Sequence, residues 1–126
     1  MDISKLKADK SDVVILHPGT EEPIGLTFSM LPMSSQKVKS VIRQIRTKLL
    51  GKRRQRFTPD EEESNGIEIM LASVCGIKWA KGTTWNGEVP KFNEKTVREI
   101  LEPDSSDWIR EQLSDHVGNT ANFFTN

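Results

Sequence analysis

The residues from Ser34 to Arg56 constrain the fold most, because they combine one apolar side with dense positive charge. Apolar residues recur there at the spacing that lines one side of an α-helix. They are Val38, Val41, Ile42, Ile45 and Leu49. Cations surround this stripe and continue past Gly51, and they make up half of the chain's 18 Lys and Arg residues. They are Lys37, Lys39, Arg43, Arg46, Lys48, Lys52, Arg53, Arg54 and Arg56. The pattern predicts a helix that packs along one side and presents positive charge along the other.

The charge of the whole chain is balanced but unevenly distributed. The 126 residues suit one domain with a modest core, and 18 acidic residues offset the 18 basic ones. A zero net charge argues against a bulk polycation that binds nucleic acid diffusely. The basic run is followed closely by the acidic residues at 60–63, so the charges lie in blocks. Such blocks indicate either oriented docking on a partner or pairing of the two blocks within the molecule.

The number of cysteines and the composition of the N-terminus indicate the cellular compartment. Cys75 is the single cysteine, so no disulfide forms within one chain, which suits a reducing cytosol. The N-terminus is polar and charged, unlike a secretory signal. No apolar run approaches the roughly 18 residues that a membrane span needs. We therefore expect a cytoplasmic protein that makes no use of a membrane.

Residues 12–31 predict a β-hairpin, which a flexible lead-in at 1–11 precedes. Asp12 to Leu16 is a short β-branched run, and a segment rich in turn formers follows it. Ile24 to Leu31 then alternates apolar and polar residues, as a half-buried strand does. The apolar faces of such a hairpin need a cover, and we expect the helix that begins near Ser34 to supply it.

A second helix is predicted to begin just before the acidic block, which forms its first turn. The residues at 58–61, Thr-Pro-Asp-Glu, combine a capping threonine, a proline at the first helical position and a capping box. An apolar face follows, and Gly76 is the predicted end of the helix. Gly66 lies inside it, where glycine costs about 1 kcal/mol relative to alanine. We therefore expect another element to pack closely against Gly66.

The remaining residues complete an α+β domain. Trp-Asn-Gly-Glu at 85–88 is a strong hairpin signal and predicts a second, short hairpin. Asn93 and the Ser-Asp pair at 106–107 are predicted to begin two C-terminal helices. The fold class is therefore α+β, with an N-terminal β-hairpin packed by α-helices, a second short hairpin and two C-terminal helices. The domain is predicted to span 12–118, and 119–126 to be a flexible tail.

The residue types that usually build catalytic or metal sites are sparse and scattered. His17 and His116 lie far apart in sequence and Cys75 stands alone, which argues against zinc. Cys75 follows Val74 on a predicted apolar helix face, so a small buried hydrophobe explains it better than a nucleophile. The carboxylates at 60–63 suit the first turn of a helix. The sequence therefore predicts no catalytic residues, no cofactor and no metal, and a protein that is not an enzyme.

A series of short segments follows one another along the chain in a definite order. They are VVILHP at 13–18, PIGLTF at 23–28, the basic helix, TPDEE at 58–62, WNG at 85–87, FNE at 92–94, WIREQ at 108–112 and ANF at 121–123. Taken together over about residues 12–124, this series resembles the tail assembly chaperones of long-tailed bacteriophages (siphoviruses), in the group similar to that of phage HK97.

The resemblance implies a non-enzymatic helper in viral tail assembly. Such a protein binds the tape-measure protein, helps to recruit tail-tube subunits, acts in the host cytoplasm and is absent from the mature virion. It also fits a homo-oligomer around an extended partner, and family members are made in a short and a frameshifted longer form. The family carries over no site residues by motif. From the residues themselves, we expect partner contacts at outer cations and at two phenylalanines of the tail. They are Arg43, Arg46, Arg53, Arg54, Arg56, Phe123 and Phe124.

A second interpretation is a small nucleic-acid-binding regulator that uses the basic residues of 37–56. Neutralising phosphates with lysine and arginine is the main source of non-specific DNA affinity. No aromatic residue interleaves this run and no helix-turn-helix pair is evident, which disfavours nucleic acid as the partner. Trp79, Trp85 and Trp108 are more often core anchors than recognition residues, although tryptophan is enriched at interface hot spots.

Overall fold

The computed structural model describes residues 2–51 and 56–124 of the chain. Its strands and helices are, in order, β1 (Ser11–Leu16), β2 (Pro23–Met30), α1 (Gln36–Gly51), α2 (Pro59–Ser73), β3 (Val74–Trp79), α3 (Glu94–Leu101) and α4 (Asp107–Gly118). Short 3₁₀ turns lie at Ile3–Lys5, Asp104–Ser106 and Thr120–Phe123. The predicted α+β class is confirmed.

One antiparallel sheet, in the order β1-β2-β3, organises the described residues. The hairpin predicted over 12–31 is confirmed, because β1 and β2 pair with Val13 opposite Phe28. Both of these side chains are buried, whereas the next positions along the strands point to the opposite, more exposed face. On that face Lys78 Nζ lies 3.1 Å from Asp12 Oδ2, and Ser29 Oγ donates to Asp12 Oδ1 at 2.6 Å. The sheet therefore turns an apolar face to the helices and a polar face outward.

The third strand was not predicted from the sequence. The helix α2 ends at Ser73 rather than at Gly76, and β3 begins at once, with Val74 extended and its N–H donating to the Leu71 carbonyl. Ile77 of β3 then lies opposite Phe28. A helix that passes directly into a strand leaves no turn residues to mark the boundary. The residues from Val74 to Gly76, which were predicted as the end of α2, are therefore part of an edge strand of the main sheet.

The predicted second hairpin is reduced to a tight turn. Trp85 and Glu88 form a single bridge, with their backbone groups bonded at 2.7 and 3.1 Å. Asn86 and Gly87 adopt φ of 52° and 81°, the left-handed values that an Asn-Gly hairpin turn requires. The turn chemistry was thus predicted correctly, but no strands extend from it in the described residues.

The helix α1 packs mainly along α2, so the prediction that it covers the hairpin is wrong. Helices α2, α3 and α4 supply the buried residues that meet the sheet, among them Leu71, Ile100 and Leu113. Val38 is the fully buried residue of α1, whereas the later members of its apolar stripe are half-buried. The α1–α2 contact lies at the side of the main core, whose buried cluster contains no residue of α1.

Both predicted flexible ends contact the folded core. The N–H of Asp9 donates to the carbonyl of Phe123 at 2.8 Å, and Ala8 packs against the core cluster. Phe123 is only 2% exposed, and its ring meets that of His116 edge-on at 5.6 Å. Residues that pack on the core therefore lie outside the domain limits predicted at 12 and 118.

The helix α4 also supplies hydrogen-bond partners for backbone groups at the outer edge of β1. The side-chain amide of Gln112 donates to the Leu16 carbonyl at 2.9 Å and accepts from the Leu16 N–H at 2.8 Å. This pair of bonds reproduces what a neighbouring strand would offer at that residue. It protects one edge of the sheet against pairing with another chain.

Candidate partner-binding surfaces

The outer side of α1 carries a dense group of exposed positive charges. No Asp or Glu occurs in Gln36–Gly51, and its cations are all exposed. They are Lys37, Lys39, Arg43, Arg46 and Lys48. None of them forms an ion pair within the part of the chain that the structure describes. These five cations therefore form no ion pair with the described acidic residues at 60–63, and docking on a partner stays a prediction.

The other predicted contact residues are placed less uniformly. Arg56 is exposed at a bend ahead of α2, whereas Arg53 and Arg54 lie outside the described residues. Phe123 is buried in the core, so its prediction as an exposed contact residue is wrong. Phe124 is 43% exposed at the C-terminal side of the last 3₁₀ turn and is available to a partner.

An apolar tip lies among the cations at the end of α1. Leu50 is 77% exposed. Arg43 and Arg46 precede it by seven and four residues, a spacing that places all three on one side of the helix. We call these three residues the α1 tip. An exposed leucine flanked by arginines is suited to an apolar depression with an acidic border.

A groove between α2 and α4 was not predicted from the sequence. Its deeper part has a volume of about 250 Å³ and is lined mainly by apolar side chains, including Met30, Met33, Ile69, Met70 and Val117. A second cavity of about 290 Å³ continues it, sharing Gly66, Met70 and Ser114. All the methionines in the described residues line this α2–α4 groove. Methionine adapts its shape to a partner, so a methionine-lined groove is typical of a binding surface.

One end of the α2–α4 groove has an acidic border. Glu63, Asp107 and Glu111 line it, are exposed, and form no ion pair within residues 2–51 and 56–124. Arg110 is the cation beside them, but its Nη1 is already bonded to the carbonyls of Leu101 at 2.6 Å and Pro103 at 2.9 Å. The border therefore carries more negative than positive charge.

Gly66 keeps this groove open. A Cβ atom built at Gly66 would meet nothing within 4 Å, so the close packing predicted around it is wrong. The glycine instead leaves a gap in the surface of α2 beside Met70. A helix-interior glycine four residues before Met70 was the signal in the sequence, although only the approach of α4 shows which groove the glycine lines.

Comparison with models of protein families, with curated protein sequences and with solved structures found no match. Within the described ranges, no three His, Cys, Asp or Glu side chains are grouped so that they would hold a metal ion. None of the described helices combines the length and the apolar character needed to cross a bilayer.

A cluster around Arg98 joins α2 to α3. Its guanidinium binds both oxygens of Glu68, at 2.8 and 3.1 Å, and lies 2.9 Å from Glu102 and 3.6 Å from Glu94. The hydrogen bond from Arg98 lowers the pKa of Glu68, and the bonds to Glu68 and then Glu102 raise the pKa of Arg98. Arg98 thus has its donors occupied, and we assign this cluster to the packing of the helices.

A second polar cluster fastens the C-terminus to β1 and α4. His116 Nε2 lies 2.9 Å from Ser11 Oγ, and Nδ1 lies 3.4 Å from the amide nitrogen of Asn122. That amide also donates to the His116 carbonyl at 3.0 Å. Because an amide nitrogen is a donor, Nδ1 is the accepting nitrogen of a neutral ring and Nε2–H donates to Ser11. Burial lowers the pKa of His116, which favours this neutral form.

We expect the free energy of unfolding to fall as the pH drops from about 7.5 to about 5.5. The lowered pKa of His116 means that the unfolded chain binds more protons than the folded chain below about pH 6.5, so acid favours unfolding there. Urea denaturation across this range measures the slope, and His116→Gln should flatten it. An unchanged slope in His116→Gln would contradict the assignment.

Proposed function

We propose that this chain is a non-enzymatic tail assembly chaperone of a long-tailed bacteriophage. It binds the tape-measure protein and helps to recruit tail-tube subunits in the host cytoplasm, without entering the mature virion. The observation that carries the proposal is the ordered series of segments over residues 12–124, which resembles this family. The unpaired cations of α1 and the open α2–α4 groove support it, because both surfaces are left for partners in the isolated chain.

The two surfaces suit different parts of such a task. Charge on α1 orients the approach of a partner and accelerates association more than it raises affinity. The apolar α2–α4 groove offers the burial that holds an apolar segment of a partner once it has arrived. A helper that must bind an aggregation-prone protein and later release it needs moderate affinity at several such places.

The cations of α1 are expected to be necessary for this activity. In the double variant Arg43→Ser, Arg46→Ser, co-expressed tape-measure protein should leave the soluble fraction. Both residues are exposed, so each change should cost under about 0.5 kcal/mol of stability. The matched control is Lys81→Ser, Lys91→Ser, which removes the same charge from exposed positions between β3 and α3 and should leave solubility unchanged.

Three outcomes of that co-expression are informative. Equal solubility with the double variant and with its control would show that α1 is not the contact surface. A wild-type chain that leaves the tape-measure protein as insoluble as it is alone would reject the proposed function. Loss of solubility with the double variant alone is the result that we expect.

A second candidate is a small nucleic-acid-binding regulator, which the same five unpaired cations favour. Its test is a salt titration of binding to duplex DNA and to single-stranded RNA. Affinity weaker than about 10⁻⁴ M at physiological salt would reject this candidate. Tight binding that falls steeply with salt and disappears in Arg43→Ser, Arg46→Ser would favour it over the chaperone.

A further inference from the structure

Two surfaces of this molecule are complementary to each other. The α1 tip presents an exposed leucine one and two helical turns beyond two arginines, on a helix that contains no acidic residue. The α2–α4 groove presents an apolar floor beside three unpaired carboxylates. Among the described α-helices, α1 alone lacks Asp and Glu. A neutral chain that separates its charges in this way is suited to bind a second copy of itself.

We propose that the α1 tip of one copy docks in the α2–α4 groove of a second copy. Leu50 enters the apolar floor beside Met70, and Arg43 and Arg46 face the acidic border. The leucine buries surface that is exposed in the isolated chain, and the charges set the orientation of the helix in the groove. The inference goes beyond the proposed function, since it concerns contact between copies whatever else the chain binds.

The tip does not reach the groove of its own chain. Lys37 and Val41 of α1 share a different cavity with Glu68 and Ala72 of α2. On a helix with 100° between successive residues, Glu68 and Ala72 lie on the side of α2 opposite to Gly66. The helix α1 therefore runs along the far side of α2 from the groove, with its tip directed to solvent. A second copy is the occupant that the geometry allows.

The contact joins two different surface patches, and this difference determines which assemblies can form. Each copy has one tip and one groove, so the interface is heterologous rather than symmetric about a two-fold axis. Repeated heterologous contacts form a closed ring where the rotation closes, and an open helical array where it does not. Association should therefore proceed beyond the dimer as concentration rises.

Two variants test each side of the contact separately. Leu50→Ser removes the apolar tip, and Gly66→Leu fills the groove at a position where a Cβ meets nothing. Both should fold, and Gly66→Leu should be the more stable of the two because leucine is the better helix former. Sedimentation velocity should show wild-type mass growing with concentration and each variant as a monomer. Val89→Ser, at an exposed apolar residue in the loop before α3, is the control and should associate like wild type.

An equimolar mixture of the two variants is the decisive sample. The Leu50→Ser chain retains its groove and the Gly66→Leu chain retains its tip, so they should form one contact and stop at a dimer. A mixture that remains monomeric, or either variant associating alone, would overturn the proposal. So would a wild-type chain that is monomeric up to about 1 mM. In that last case, binding of a basic amphipathic peptide to the groove would assign it to a different protein. Co-expression with the tape-measure protein is read separately, so failure here and failure of the proposed function are distinguishable.

Discussion

Replacing Phe123 by alanine is expected to lower the free energy of unfolding by about 3–5 kcal/mol. The ring is 2% exposed and belongs to the core cluster that α4 and the sheet share. Its edge-on contact with His116 would be lost, and the cavity left behind would lie where the N-terminal segment meets the C-terminal turn. Urea denaturation followed by circular dichroism measures the change, provided that the slope with denaturant is unaltered.

The neighbouring residue provides a matched control for this prediction. Phe124 is the same side chain one position later and is 43% exposed, so Phe124→Ala should cost under about 1 kcal/mol. If both variants lost equally little stability, the turn at Thr120–Phe123 would not be part of the core in solution. If the prediction holds, a truncation at residue 118 should be about as damaging as Phe123→Ala.

The position of Phe123 was not accessible from the sequence because its burial depends on distant residues. The segment 119–126 is locally polar, and by composition alone it indicates a tail. Its placement depends on the Asn122 amide meeting His116, and on the backbone bond between Asp9 and Phe123. These contacts join residues near the two ends of the chain, and no local sequence pattern predicts them.

The missed strand β3 has a different cause. The apolar residues of α2 pass into Val74–Trp79 without a glycine, proline or polar cluster between them. Short apolar runs fit a buried helix and a strand equally well, and the predicted stop at Gly76 favoured the helix. Gly76 instead lies opposite Ser29 in the sheet, where a Cβ would meet Ser29 Cβ at 3.4 Å. The capping box at Thr58 and the Asn-Gly turn were predicted correctly, because their chemistry is local.

The two candidate surfaces also differ in whether local sequence or distant residues determine them. The cations of α1 could be predicted as one exposed surface, since helical spacing alone places them. The α2–α4 groove could not be predicted, because its lining comes from four places: strand β2, helices α2 and α4, and the segment that precedes α1. Periodicity predicts that a helix has an apolar side, but it does not say which element that side meets.

The last prediction tests where the apolar side of α1 packs. Val38 is fully buried, so Val38→Asp would place an unpaired carboxylate among apolar groups and should cost more than about 4 kcal/mol. Ile42 lies one turn later and is half-buried, so the carboxylate of Ile42→Asp reaches water and should cost about half as much or less. Thermal and urea unfolding of the two variants measure the difference.

The informative quantity is the ratio of the losses in unfolding free energy of the two variants, because both residues belong to the same helical stripe. A helix laid flat on the β-hairpin, as the sequence predicts, would bury Ile42 as deeply as Val38, and both aspartates would be equally damaging. A helix fixed at its N-terminal turn and packed along α2 makes Val38 the sensitive position. Equal destabilisation would therefore contradict the observed packing of α1. A large effect confined to Val38→Asp would support it, and would leave the far end of the helix with its exposed Leu50 free to meet a partner.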